Sequence, residues 1–298
     1  MTSILQHRIL GSVLPDELPA NVENNLPHIV LLHGWGLNSG VFDQVAPLLA
    51  ETMRVQLIDL PGFGYNAAIP LAELEETVAQ LASVIPDNAI ILGWSLGGLL
   101  AQQLALSHPQ KVLKLITVAS TPHFMAVADT EDNAKESDWL GIAPKVLLQF
   151  ETQLARDYQK TVQRFLAIQA MGSVSAKHDM QALKQAIEAY PAPCEASLLQ
   201  GLKLLQQVDL RAQIGMIQQP TLRVYGRLDS LVPQRAVAAI QVLQPHARSV
   251  VMEHVSHAPF ISNKVEFCDI IMRFVVFSSR RRHVRLVSDW SSDVCSSD

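Results

Sequence analysis

Cysteine is scarce in this 298-residue chain, which carries only Cys194, Cys268 and Cys295. An odd number, widely spaced and without paired-ligand spacing, argues against both a disulfide framework and a zinc site. Apolar runs are short as well. None approaches the roughly 18 residues needed to span a bilayer, and the N-terminal Met-Thr-Ser-Ile-Leu-Gln-His-Arg lacks a long apolar segment followed by a small-residue cleavage site. The cytoplasm is the expected location, with no membrane partner. Charge is modest: 17% of residues are charged and the formal net charge is -5 at pH 7. Nothing therefore draws the whole chain to nucleic acid, although a local basic patch can still steer an acidic partner. Apolar residues, by contrast, make up 49% of the chain, which excludes a disordered polymer and supplies the core of one elaborated domain or two small ones.

In chain order, a strand around Ser3 to Leu10 precedes a Pro/Asn/Glu-rich loop, Pro15 to Asn25. The run His28 to Leu32 reads as a doubly buried strand, Val41 to Ala50 is helix-compatible despite Pro47, and Arg54 to Asp59 reads as a second strand. Leu71 to Ile85 has helical spacing, Asn88 to Leu92 is a third buried strand, Leu99 to Leu106 is helix-like and Val112 to Val118 is another strand. Strands alternating with helices imply a mostly parallel sheet covered on both faces. The rhythm stops near Pro122, and candidate helices follow at Val146 to Leu154, Tyr158 to Met171 and Lys177 to Ala189. It resumes with strands Pro220 to Tyr225 and Arg248 to Met252, separated by the helix-like Gln234 to Leu243 and followed by a helix near Val265 to Val276. The expected organisation is an α/β core over 1–121 and 194–277 with a helical cap over 122–193. Residues 278–298 are rich in Ser, Arg and Asp without an amphipathic period. They read as an unstructured end rather than a nucleic-acid-binding tail. The run also resembles translated sequencing-adapter sequence, which implies a replaced C-terminus.

The stretch Gly93-Trp94-Ser95-Leu96-Gly97-Gly98 lies between the third strand and its helix. Gly-x-Ser-x-Gly in that setting is a nucleophile elbow, where small residues let backbones crowd together while a strained turn lifts the serine hydroxyl above the sheet. Ser95 needs a base, because a serine hydroxyl is a poor nucleophile at neutral pH. His257, in Val255-Ser-His-Ala-Pro-Phe260 after the last strand, is best placed among ten histidines, with His33, His246 and His254 as rivals. A carboxylate must orient the base. Asp229, after the preceding strand, is preferred, with Asp59 and Asp209 as alternatives. The order Ser95, Asp229, His257 is that of α/β-hydrolases. The oxyanion donors are then the N–H of Leu96, after the nucleophile, and an N–H from His33-Gly-Trp-Gly36, assigned to Trp35. Trp35 and Trp94 are candidate walls of an acyl pocket.

Five segments carry a closer likeness: Leu-Leu-His33-Gly-Trp-Gly-Leu-Asn38, Asp59-Leu-Pro-Gly-Phe-Gly64, Leu92-Gly-Trp-Ser-Leu-Gly-Gly98, Arg164-Phe-Leu-Ala-Ile-Gln-Ala-Met-Gly172 and His257-Ala-Pro-Phe-Ile-Ser262. Together they resemble the family of pimeloyl-[acyl-carrier protein] methyl ester esterases of biotin synthesis, over most of residues 28–277. The resemblance implies an α/β-hydrolase fold with a helical cap and hydrolysis of a pimeloyl methyl ester on acyl carrier protein, with release of methanol. It implies Ser95, Asp229 and His257 as triad, Trp35 and Leu96 as oxyanion and substrate contacts, and Phe165, Leu166, Ala167, Ile168 and Gln169 as acyl-chain contacts. No metal or cofactor is required, and a monomer is expected. The carrier is acidic, so basic cap residues would hold it: Lys160 and Arg164 are four apart, and Lys177 and Lys184 seven apart, so each pair can share a helix face. Between Tyr158 and Ala189 these four are opposed only by Asp179 and Glu188. The chain departs from the family in lysine for arginine at some cap positions, in the acidic segment Ala128 to Asp138, and in the tail. Rival functions are a broad short-chain esterase or thioesterase with the same machinery, and a non-catalytic ligand-binding module on the same fold.

Overall fold

A computed structural model describes residues 4–11, 26–127, 139–171, 173 and 175–277. The loop at 15–25, the acidic segment 128–138, the tail 278–298 and Cys295 lie outside the described residues. Among the described residues seven strands form one sheet: β1 (His7–Leu10), β2 (His28–Leu32), β3 (Arg54–Ile58), β4 (Ala89–Trp94), β5 (Val112–Val118), β6 (Thr221–Gly226) and β7 (Arg248–Met252). Their spatial order is β1-β3-β2-β4-β5-β6-β7. Among the described residues only β1 runs antiparallel, paired with β3; it begins at His7, and Ser3 lies outside the described residues.

The apolar strands are buried on both faces, as parallel strands under helices must be. Val30 and Leu32 of β2 belong to the same buried core as residues of α2 (Leu74–Val84), α3 (Leu96–Ser107) and α8 (Gln234–Leu243). Ile29 and Leu31 meet the other layer, α1 (Ala46–Ala50) and α10 (Lys264–Phe277). The helix-compatible stretch from Val41 resolves into a 3-10 turn, Ser39–Phe42, and the short α1. Pro47 sits in the first turn of α1, where its missing N–H has no intrahelical partner to lose.

Between β5 and β6 the chain leaves the sheet through α4 (Pro144–Leu154), α5 (Tyr158–Ala170), α6 (Ala176–Glu188) and α7 (Glu195–Gln207). The first three match the candidate helices. The fourth begins beyond residue 193, where the sequence suggested a return to the core. Leu198, Leu202 and Leu205 give it one buried stripe. Among the described residues no helix is long and apolar enough to cross a membrane.

The chain turns one way from β2 to β3 and the other way from β4 to β5, so the loops after β2 and β4 diverge. Such a switch point opens a crevice at the carboxyl ends of the strands. Leu32 pairs with Gly93, which sets the loop from His33 beside the turn at Ser95.

Candidate active site

Ser95 occupies the single residue between β4 and α3, with φ 54° and ψ -118°. Left-handed φ is costly for a side-chain-bearing residue and persists only where the surroundings enforce it. Here the surroundings are backbone. A Cβ on Gly93 would lie 2.2 Å from the Gly97 carbonyl oxygen, and one on Gly97 would lie 2.4 Å from that of Leu32. Ser120 completes the turn by donating its hydroxyl to the Ser95 carbonyl at 2.8 Å.

His257 Nε2 stands 3.0 Å from Ser95 Oγ, and His257 Nδ1 stands 2.9 Å from Asp229 Oδ2. The imidazole and the carboxylate are both fully buried. Asp229 Oδ1 accepts the N–H groups of Leu231 at 2.8 Å and Val232 at 3.1 Å, which pins the carboxylate in one orientation. The backbone around His257 is held equally firmly: Trp94 Nε1 donates to its carbonyl at 2.7 Å, and its own N–H donates to the carbonyl of Gln169 at 3.3 Å. Nothing in the sequence marked Ser120, or Trp94 as a support for the histidine, because both contacts join distant segments.

The rival groups have other work. His33 Nε2 accepts the N–H of Leu60 at 2.9 Å, so its proton resides on Nδ1 and is donated to the Gly34 carbonyl at 2.8 Å. Burial pushes its pKa below the ordinary value, outweighing the opposite pull of Asp59. His246 and His254 are exposed. Asp59 bridges the N–H groups of Ser39 (2.7 Å) and Tyr65 (2.9 Å), and Asp209 pairs with Arg211 at 2.7 Å.

Trp35 is buried on the loop after β2, its indole N–H donated to the Leu198 carbonyl of α7 at 2.8 Å and its ring edge-on to Phe165 at 4.8 Å. Trp94 lies on the opposite face, against Phe260 at 5.0 Å and His257 at 5.7 Å. It therefore backs the histidine rather than walling a pocket shared with Trp35. Leu96 is the first residue of α3, whose opening N–H groups lack intrahelical acceptors.

The segment 165–169 covers more than one helical turn and cannot face inward throughout. Phe165, Leu166 and Gln169 are buried and Ile168 is half-buried, whereas Ala167 is exposed, which removes it from the set of inward contacts. Neither polar atom of the buried Gln169 amide has a hydrogen-bond partner among the described residues. Lys160, Arg164, Lys177 and Lys184 are all exposed on α5 and α6. Lys160 also pairs with Asp157 at 3.1 Å, and Lys184 with Glu188 at 3.7 Å. Asp179, counted above as opposing these cations, is buried, with Ser175 and Ser262 donating to its two oxygens.

With the cap in place Ser95 is only 2% exposed. Between α5 and α6 lies a cavity of about 310 Å³ lined by Tyr158, Val162, Leu166, Lys184 and Tyr190 among others. The inner wall reaches the loop after β2, since a Cβ on Gly36 would come within 3.8 Å of Val162.

Comparison with known proteins points the same way. Residues 27–264 match the family model described as alpha/beta hydrolase fold. Proteins named pimeloyl-[acyl-carrier protein] methyl ester esterase are similar over most of the chain. One from Aeromonas hydrophila is 49% identical over 254 residues, 84% of this chain and 95% of its own. Another, from Vibrio atlanticus, is 45% identical over 88% of this chain and 99% of its own. Among solved structures, an esterase from Exiguobacterium antarcticum superposes with a TM-score of 0.74 at 20% identity, covering 91% of this chain and 95% of its own. The enol-lactonase from Burkholderia xenovorans gives 0.74 at 17%, covering 91% and 96%. At those identities the structures speak for the fold alone.

Proposed function

The chain belongs to the α/β hydrolases, among the pimeloyl-[acyl-carrier protein] methyl ester esterases, and on that premise we propose that it hydrolyses the methyl ester of a pimeloyl group carried on acyl carrier protein, the step that the family resemblance places in biotin synthesis. It is a carboxylic ester hydrolase. The observation that carries the reading is the unbroken path from Ser95 Oγ through His257 to Asp229, at 3.0 and 2.9 Å.

His257 Nε2 takes the serine proton as Ser95 attacks the ester carbonyl, and Asp229 stabilises the imidazolium that forms. The N–H groups of Leu96 and Trp35 hold the oxyanion. In a water-poor site, donors fixed before the reaction count for far more than they would in solvent. Collapse of the tetrahedral species expels methanol, which leaves with the proton from His257. Water then attacks the acyl-enzyme by the same route and frees the carboxylic acid. Phe165, Leu166 and Ile168 contact the acyl chain, and the unsatisfied Gln169 amide is the polar group offered to it.

The carrier docks on the exposed α5 and α6 face through Lys160, Arg164, Lys177 and Lys184, and its acyl arm reaches Ser95 by the cavity between those helices. Arg156 adds a cation at the cleft lined by Gln153, Asp157, Lys160 and Arg164. The decisive experiment is Ser95→Ala, assayed on the carrier-bound methyl ester and on a p-nitrophenyl ester. Turnover should fall by about 10⁶-fold on both with the circular dichroism spectrum unchanged. Substantial residual turnover would overturn the triad.

A further inference from the structure

Among the described residues, the cap is tied at three places to the segment that carries His257. The His257 N–H donates to the Gln169 carbonyl at the end of α5, and Ser256 Oγ donates to the Met171 carbonyl at 2.9 Å. The third involves α9 (Pro259–Ser262), the single helical turn that starts two residues after His257. Its last residue, Ser262, donates its hydroxyl to Asp179 Oδ2. Asp179 lies in the first turn of α6 and is 1% exposed. Its other oxygen accepts Ser175 Oγ at 2.8 Å, and Ser173 Oγ completes the cluster, 3.0 Å from Ser175 Oγ and 3.5 Å from Ser262 Oγ. A buried carboxylate is costly unless its lone pairs are filled. Here hydroxyls from the cap and from α9 accompany His178 Nδ1, 3.6 Å from Oδ1, so the two elements share one anion.

The placement of α6 makes this more than local packing. At its far end the Ala186 carbonyl accepts Asn38 Nδ2 at 3.0 Å, next to the loop that follows Trp35. Helix α6 thus spans from the histidine loop to the oxyanion loop, with Leu183 in the same core as Phe260 and Trp94. Its outer face presents Lys177 and Lys184 to solvent.

We propose that Asp179 is a positioning residue which, through Ser262, couples the seating of the cap to the alignment of His257 on Ser95. The proposal rests on the Ser95–His257 reading above. Reaction rate is steep in that alignment, since a displacement of about 1 Å can cost about a hundredfold. With the clasp broken, the acyl pocket remains but the base drifts, so the loss falls on kcat rather than on KM.

The test is the full-length protein with Ser262→Ala, Asp179→Ala, Asp179→Asn and the Asp179→Ala/Ser262→Ala pair, assayed on p-nitrophenyl butyrate and by the rate of Ser95 labelling with a fluorophosphonate. Ser262→Ala and Asp179→Ala should each lower kcat about tenfold with KM within about twofold, and labelling should slow in parallel. The pair should be no slower than Asp179→Ala alone, because the two act as a unit. Asp179→Asn, which still offers an acceptor to one serine and a donor to the other, should recover most of the rate. Ser262→Ala removes one hydroxyl and decides the matter even if Asp179→Ala fails to fold. Wild-type kcat and labelling in Ser262→Ala would overturn the proposal, as would losses confined to thermal stability. Failure of the serine–histidine reading would show separately, as absent Ser95 labelling in the wild-type protein, and would take the clasp's role down with it.

Discussion

Two buried histidines show how neighbours decide what a side chain does. His33 spends both ring nitrogens on backbone, accepting from Leu60 and donating to Gly34, so it is fixed as a neutral tautomer. His257 faces a hydroxyl on one side and a carboxylate on the other. Two predictions belong here. Asp229→Asn should leave the fold intact but lower kcat by about 10⁴-fold, because an amide no longer selects the right tautomer or stabilises the imidazolium. Ester hydrolysis beside a thermal melt checks it. The second concerns pH. Burial holds His33 and half-buried His28 below the ordinary 6.5. The unfolded chain therefore binds protons that the native state refuses once the pH falls below 6.5. Stability should be full above that value and decline from there down through the lowered native pKa. Urea midpoints between about pH 8 and about pH 5.5 should fall with pH, and His33→Gln should flatten part of that slope. An unchanged slope in the variant would contradict the assignment.

At the scale of elements, the elbow works because three glycines let a strand, a helix and a neighbouring strand end almost touch. The Gly-x-Ser-x-Gly spacing was legible because it is local. That Gly97 faces the Leu32 and His33 carbonyls, however, depends on β2 lying beside β4. Gly97→Ala should push α3 off β2, destabilise the protein by about 1–3 kcal/mol or more, and misplace both Ser95 Oγ and the Leu96 N–H. Denaturant midpoints and p-nitrophenyl ester turnover should fall together. Helix α7 was not among the helices read from the sequence, and its importance was hidden with it. Gly201 leaves room for Trp35, where a Cβ would come within 2.6 Å of the indole, and Leu198 accepts the Trp35 indole N–H. The loop after β2 is thus braced from the cap side by a helix 163 residues further along the chain.

For the molecule as a whole, the site is a seam between core and cap. A chain of net charge -5 would repel an acidic carrier if charge were spread evenly. On the docking proposed above, the cations on α5 and α6 would make the attraction local and so open to screening, with a Debye length of about 8 Å at physiological salt. Lys160→Glu with Arg164→Glu should cut kcat/KM for the carrier-bound ester at least about tenfold while changing that for a p-nitrophenyl ester less than about twofold. Rising ionic strength should reproduce the pattern in the unaltered protein. Equal losses on both substrates would argue against docking at this face.

The sequence by itself determined what depends on neighbours in the chain. The β/α alternation, the doubly buried strands, the elbow at Ser95 and the first three cap helices all follow from periodicity and from residues a few positions apart. The order of Ser95, Asp229 and His257 was legible too, and so was the family likeness. Tertiary structure alone decided which groups meet. His257 comes from 162 residues beyond Ser95, and whether it, His33 or another histidine reaches the hydroxyl is fixed by strand order and loop direction, which no local pattern encodes. The same holds for Asp179, which reads as a surface charge on a helix. In the fold it is buried, and its carboxylate accepts the hydroxyl of Ser262, 83 residues away. Hydrogen bonds between distant segments are set by the assembled sheet and cap, and these are what turn a serine in a tight turn into a site that catalysis can use.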